Sequence, residues 1–422
     1  MRDAIGWVLL AGALSAPAFA APLTLEEALA SVSAPHPDRR VAESELALAR
    51  ADRERVESQQ DFYLYLDGSL RTGWRPDGDW KPDNVARIVG RKPLYDFGRT
   101  RQEIGAAEQE FSARQVALLD VENTRRLDIT ARFFEVLLAD MQYAADNERM
   151  AVTYMAWHDA LERFEVGQIS HPELLRLEAT YQDAREQRYT VQNRMSSARQ
   201  KLSHALNRPG QLHAELAEPA LKGNLREVPD YEVLLAWVMR NNPRILIMQT
   251  QLVAVDARVG AIRAENGPTL DMEVMGGGFS RTSSTRDDLS VGLVFNIPLY
   301  QGGRMDARVA RELAHKARLS AELEQLKRDL AETLYTNLQE VDWLRNAGRV
   351  AANKQVEFRD AELERARAEY ELELKTNLGV SLVNTQLALL RRKQVEYQLA
   401  LALARLDALS GGSLPPSAGD KK

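Results

Sequence analysis

Six histidines, His36, His158, His171, His204, His213 and His315, are the residues best suited to proton transfer or metal ligation, and they are scattered along the chain. None belongs to an H-E-x-x-H pair, which would set two imidazoles on one helical face. There is no cysteine, so a disulfide, a thiolate metal site, a catalytic thiol and a lipidated N-terminal cysteine are all excluded. Gly276-Gly277-Gly278 lies in a strand pattern and opens no helix, so it is no phosphate loop; it serves to relieve crowding or to curve a sheet. Gln301-Gly302-Gly303-Arg304 lacks the lysine and the spacing of a P-loop. Met141, Met150 and Met155 are soft ligands by type, but their helical spacing makes them core side chains. No catalytic residue, cofactor site or metal site is expected.

With chemistry set aside, the bulk properties indicate what the chain is built to do. Its 422 residues are 45% hydrophobic and 27% charged, enough for a sizeable core, and the net charge of −6 gives no support to nucleic-acid binding. Residues 1–20 read as a secretory signal: Arg2, an apolar run from Ile5 to Leu14, and an A-x-A site at Ala18-Phe19-Ala20. That run is too short to cross a bilayer comfortably as an anchor helix. After Ala21 no stretch approaches the roughly 18 apolar residues of a transmembrane helix. A membrane role would therefore have to use β strands.

The elements are organised around a stretch that occurs twice. Pro93-Leu94-Tyr95-Asp96-Phe97-Gly98-Arg99 returns as Pro298-Leu299-Tyr300-Gln301-Gly302-Gly303-Arg304. Before each copy the pattern alternates; after each it is helical for a long way. Pro93 and Pro298 suit the end of a strand. Gly98 and Gly303 permit an abrupt change of direction, and Tyr95 and Tyr300 have the amphipathic character of membrane-interface residues. Arg99 and Arg304 close the junctions. The repeat extends further: Pro37 pairs with Pro243, an offset of 206, at which Thr24 meets Asp230 and Ser170 meets Thr376. The chain thus divides into two repeats, 21–210 and 229–410, joined by a linker at 211–228 and followed by a tail at 411–422 of disordered composition.

Each repeat opens with helices: a capping box, Thr24 with Glu27, starts a short one, and another covers about Asp38 to Ser58. Strand pairs follow. From Asp61 to Trp74, Phe62, Leu64, Leu66, Leu70 and Trp74 share one face, opposite Tyr63, Tyr65, Asp67, Ser69 and Arg71. Val85 to Leu94 alternates likewise. In the second repeat Leu289, Val291, Leu293, Phe295 and Ile297 oppose Ser290, Gly292 and Asn296. Alternation alone fits a soluble sheet packed on a core or a barrel wall with lipid outside and water inside. Long proline-free helices run from about Gly98 to Glu165, on the order of 100 Å, and from about Gly303 to Leu372. The return helix shows Leu387, Leu390, Tyr397 and Leu401 at heptad spacing, with Leu389, Leu399, Leu403 and Leu406 widening the stripe.

Two tips join the outgoing helices to their returns. In the first, Gly167 is a left-handed C-terminal cap, Ser170 and Glu173 form a capping box, and Ile169 and Leu174 take the positions of a hydrophobic staple. The second, Tyr370 to Val380, lacks these signals complete: Glu373 stands where the first has Gly167, and Gly379 replaces the capping-box acid. Exchanging them, Glu373→Gly with Gly379→Glu, is expected to stiffen the second tip.

This arrangement resembles the TolC-type outer-membrane factor family of Gram-negative bacteria over about Leu23 to Leu409. The residues that carry it are Thr24-Leu25-Glu26-Glu27-Ala28-Leu29, Pro37 and Pro243, the two Pro-Leu-Tyr…Gly-Arg junctions, and the first tip from Phe164 to Ser170. The resemblance implies a mainly α fold. Duplicated long helical hairpins would form a periplasmic α-barrel, and four strands per protomer would enter a shared, trimeric transmembrane β-barrel. The strand number alone also allows a dimer. The implied function is an exit duct in the outer membrane, passively conducting cargo of an efflux or type I secretion system. Its partners would be a periplasmic adaptor, an inner-membrane pump or ABC transporter, and outer-membrane lipid, with no nucleic acid. Gly167, Gln168, Ile169 and Ser170 in the first tip, with Leu374, Lys375 and Thr376 in the second, would meet the adaptor. Gly379 and Leu382 stand where some relatives carry entrance aspartates, which leaves Glu173 as the entrance charge. The alternative is a soluble periplasmic scaffold or adaptor built on helical hairpins.

Overall fold

The computed structural model describes residues 22–74, 78–210, 215–280, 287–372, 377–412 and 414. The expected signal peptide, Leu374, Lys375 and Thr376 of the second tip, and most of the tail lie outside them. In chain order the elements are α1 (Leu25–Ala30), α2 (Pro37–Glu57), β1 (Tyr63–Ser69), β2 (Thr72–Trp74), β3 (Trp80–Pro82) and β4 (Val85–Tyr95). Next come α3 (Arg99–Glu165), α4 (His171–Ala205), α5 (Tyr231–Asn241), α6 (Pro243–Ala264), β5 (Thr269–Phe279) and β6 (Leu289–Asn296). The chain continues with α7 (Arg304–Trp343), a π turn at Leu344–Gly348, α8 (Arg349–Glu371) and α9 (Leu378–Leu409).

The repeat is visible in the caps. Thr24 and Glu27 make the reciprocal capping box of α1, with Glu27 N donating to Thr24 Oγ1 at 3.2 Å and Thr24 N to Glu27 Oε2 at 3.0 Å. Pro37 and Pro243 each begin a helix, where a missing N–H costs nothing. His36 Nδ1 caps the first and Asn242 Oδ1 the second, at 3.2 and 3.0 Å.

The chain divides into two compact units. One comprises Ser33–Asp128, Lys222–Glu357 and Arg391–Lys422. It contains the sheet and a core in which Leu234 and Val238 of α5, Leu334 and Val341 of α7, Leu344 of the π turn and Leu399, Ala402, Leu403 and Leu406 of α9 are buried together. The π turn widens the helix by one residue, and such bulges accommodate an insertion without breaking the ladder. The region around it is clasped to the linker. Glu396 accepts from Arg349 Nε and Nη2 at 2.7 and 2.8 Å and from Asn224 Nδ2 at 2.8 Å. Arg345 donates to the Arg226 carbonyl at 2.5 Å, and Arg226 to that of Leu403 at 2.8 Å. Burial pushes the Glu396 carboxyl up, but the donors Arg349 and Asn224 outweigh it and hold it below the usual carboxylate range.

The hydropathy expectation needs one correction. Among the described residues α6 is long and apolar enough to cross a membrane. Its packing argues against a lipid setting: Ile245 sits in a core with Leu323 and Leu330 of α7, and Asp256 pairs with Lys316 at 2.6 Å and Arg258 with Glu110 at 2.5 Å.

The other unit comprises Met1–Val32, Ile129–Leu221 and Phe358–Leu390. Along α4, Ala184, Val191, Ala198 and Ala205 are buried at seven-residue intervals, a coiled-coil seam of small residues that lets helices approach closely. Facing α3 buries Ile129, Phe133, Phe134 and Val136. Arg199 bridges the two helices by a paired contact to Asp140, at 2.5 and 2.8 Å. The seam expected on α9 shifts: of Leu387, Leu390, Tyr397 and Leu401 only Tyr397 is buried, while Val383, Ala388, Val395, Leu399 and Leu406 are. Val395 and Tyr397 project from different sides of the helix, so α9 is covered on more than one face. A two-stranded coiled coil would need only one.

Candidate functional site: a two-faced sheet and two helical tips

β1, β4, β5 and β6 form one antiparallel sheet in that order, so the strand pairs of the two repeats join through β4 and β5. Register settles the faces. Leu64 lies opposite Gly90, Leu66 opposite Ile88, Ile88 opposite Gly276, Val274 opposite Val291 and Met272 opposite Leu293. These make one apolar face, on which Leu64, Leu66, Leu289, Val291, Leu293 and Phe295 are 63–73% exposed. On the other face Tyr63 lies opposite Arg91, Asp67 opposite Arg87, Arg91 opposite Glu273, and Met275 opposite Ser290. Cross-strand ion pairs tie it together: Arg87 Nε to Asp67 at 2.7 Å and Arg91 Nη2 to Glu273 at 2.5 Å. A cavity of about 400 Å³ lies on this side, lined among others by Asp67, Arg87, Met275 and Ser290. Every strand residue that lines it belongs to the polar face, so the sheet curls toward that face.

Only the middle glycine of Gly276-Gly277-Gly278 is needed for close approach. A β carbon on Gly277 would lie 2.6 Å from the Ala86 carbonyl oxygen and from Arg87 Cβ, whereas Gly278 meets nothing within 4 Å. The expected first strand is also shorter than read: it breaks at Leu70, and Thr72–Trp74 pairs with Trp80–Pro82 as a separate two-stranded ribbon.

The junctions differ from expectation. β4 runs through Pro93 to Tyr95 with a register shift there, whereas β6 ends at Asn296, before Pro298. The turn in the second copy uses Gly302, at φ 64°, not Gly303, at φ −77°. The first copy uses Phe97, at φ 56°, and Gly98, at φ 84°. Phe97 can hold that strained conformation because its ring covers Gly267, where a β carbon would lie 2.2 Å from it. Asp96 fastens the start of α3, accepting from Gly98 N at 3.2 Å, from Thr100 N at 2.7 Å and from the Thr100 hydroxyl. An aspartate just before a helical run signals such a cap. Arg99 lies beside Asp96 and Glu103, Arg304 begins α7, and Leu299 and Tyr300 are more than 90% exposed.

At the first tip Gly167 has φ 75°, and Gln168 N reaches back to the Arg163 carbonyl at 2.8 Å while Gly167 N reaches that of Phe164 at 2.9 Å. This is the doubled hydrogen-bond pattern of a glycine C-cap. The capping box is absent. Ser170 precedes α4 but its side chain accepts no cap hydrogen bond. The Glu173 carboxylate is instead taken by Arg176, with contacts of 2.6 and 3.0 Å, which holds it below the usual carboxylate range. Ile169 is half-buried and Leu174 buried, as a staple requires, and Gln168 is exposed. At the second tip, a β carbon on Gly379 would lie 2.6 Å from Val152 Cγ2 of α3. Gly379 is therefore a close-packing position, and Gly379→Glu would drive α9 from α3, not stiffen the tip.

The sequence matches the family described as "Outer membrane efflux protein" over residues 31–208 and 234–412. It is 23% identical over 330 residues to the outer membrane protein TolC of Salmonella enteritidis, covering 74% of this chain. That match spans 66% of the TolC length, just under two thirds. The fold is that of the solved outer membrane protein VceC of Vibrio cholerae, with a TM-score of 0.71 at 16% identity over 92% of this chain and 96% of that one. CusC, whose structures concern transmembrane channel formation, gives a TM-score of 0.71 at 18% identity, with 92% of each chain covered. Because the family match takes in both repeats, from before α2 to beyond α9, the chain belongs to the outer membrane efflux protein family.

Proposed function

We propose that the protein is the outer-membrane exit duct of an efflux or type I secretion system, conducting cargo passively from the periplasm to the exterior. The observation that carries this reading is the sheet. Its apolar face is exposed on β1, β4 and β6 and half-buried on β5, its polar face is concave and ion-paired, and its outer strands, β1 and β6, each lack a partner on one side among the described residues. Four strands cannot close a bacterial barrel, which needs at least eight. Copies of this chain therefore share one barrel, and membership of the family favours three. Lipid then covers the apolar face and water fills the concave one.

The mature chain is read as two repeats, 21–210 and 229–410, left after removal of residues 1–20. Its long helices lie in the periplasm. A periplasmic adaptor engages the tips, Gly167, Gln168, Ile169 and Ser170 in the first and Leu374, Lys375 and Thr376 in the second. An inner-membrane pump or ABC transporter supplies energy and cargo. Glu173 contributes little as an entrance charge, since Arg176 neutralises it locally. The soluble-scaffold alternative has no support from the exposed apolar face, which would be a liability in water.

Membrane fractionation followed by unheated gel electrophoresis tests the reading. The protein should sediment with outer membrane and run as an oligomer that collapses to a monomer on heating. A monomer in the soluble periplasmic fraction would contradict it.

A further inference from the structure

The charges of the concave sheet face do not balance, and the residue left over is Asp271. The face carries two bases, Arg87 and Arg91, and three acids, Asp67, Glu273 and Asp271, across β1, β4, β5 and β6. Arg87 is held by Asp67 and Arg91 by Glu273. Asp271 stands opposite Pro93 on one side and Val294 on the other, neither of which can donate a side-chain hydrogen bond. No ion pair reaches it among the described residues. It lies two residues into β5, on the end of the sheet that adjoins the long helices α3 and α7. Lys92, the remaining base of these strands, faces the other way, opposite Met272 on the apolar side.

We infer that Asp271 is a selectivity-determining residue of the duct, one copy per protomer forming a ring of carboxylates at the helix-side mouth of the barrel, and that this ring favours cationic over anionic cargo. The inference rests on the duct reading above, because the ring exists only if copies share a barrel. An unpaired carboxylate on a water-filled wall biases permeation toward cations, as rings of aspartate or glutamate do in channels. The two cross-strand ion pairs cannot do this, since each cancels locally, and their role is to fix the register of the wall.

The test is the reversal potential of the purified oligomer in a planar bilayer under a potassium chloride gradient. The parent is compared with Asp271→Asn, Asp271→Lys and the control Ser290→Asn, with heat-modifiable oligomer confirming assembly of each. The cation-to-anion permeability ratio should fall at least two-fold in Asp271→Asn, fall further in Asp271→Lys, and stay at the parent value in Ser290→Asn. Assembled, conducting Asp271→Asn and Asp271→Lys channels with the parent's ratio would overturn the assignment while leaving the duct reading intact. A parent oligomer that does not conduct at all would overturn both.

Discussion

At position 277 a single β carbon decides whether β5 can lie against β4. Because that carbon would meet the backbone of β4 at 2.6 Å, Gly277→Val should cost about 1–3 kcal/mol through overpacking, while Gly278→Ala should be silent. The fraction of protein recovered as heat-modifiable oligomer reads both, and equal recovery of the two variants would show that β4 yields to the added side chain. Side-chain polarity is sorted at the same scale. Leu293 is exposed on the apolar face and Ser290 lies on the concave one. Leu293→Arg should therefore impair assembly, by about 2–4 kcal/mol if it sits near the bilayer midplane, and Ser290→Arg should assemble. Both side-chain sets were legible in the sequence because a strand has period two. Asp271 was not, since its isolation depends on which bases the register gives to Asp67 and Glu273.

At the scale of elements, the tips show where local signals succeed and fail. Gly167 was readable because only its conformation mattered, and the structure gives it φ 75°. Gly167→Val should cost roughly 1–2 kcal/mol by forcing a β-branched residue into the left-handed region. Faster tryptic cleavage at Arg163, with unchanged oligomer, is the expected result; cleavage at the parent rate would contradict it. The capping box failed because Glu173 had a competing partner, Arg176, three residues on and already charged. Gly379 differs for another reason: the tip's own sequence holds no sign of its constraint, which comes from Val152, more than 200 positions away. Gly379→Ala should loosen the start of α9, detectable as raised hydrogen exchange over 378–385, and unchanged exchange there would show that Val152 yields. The clasp at the π turn had no sequence signal at all, since Asn224, Arg349 and Glu396 come from three distant segments. Its pH dependence has a definite sign. Glu396 is depressed when folded, so its contribution is present above the unfolded carboxyl pKa, about 4.3. It is lost as pH falls through the lower folded value. Glu396→Gln should lower stability at neutral pH by on the order of 1.5 kcal/mol and flatten the stability profile below pH 4.3. Parallel profiles for the two proteins would exclude the linkage.

For the whole molecule, the proposed duct requires that one sheet face meet lipid and the other meet water inside a barrel shared between copies. The long helices and the alternating strands were readable, because each pattern in one repeat recurs in the other; at the junctions the order of elements was readable but the turn residue was not, since Gly302, not Gly303, takes the positive φ. The number of copies in the proposed barrel was not readable, because it depends on the edges of β1 and β6, which are unpaired among the described residues. The absence of cysteine makes a direct measurement available. Single cysteines placed in turn at positions 289 to 294 of β6 should react in assembled outer-membrane oligomers with a charged, membrane-impermeant thiol reagent at 290, 292 and 294. Those at 289, 291 and 293 should be protected from it and react only with a lipid-soluble maleimide. A period-two alternation is expected; uniform reactivity of all six positions toward the charged reagent would place both faces in water.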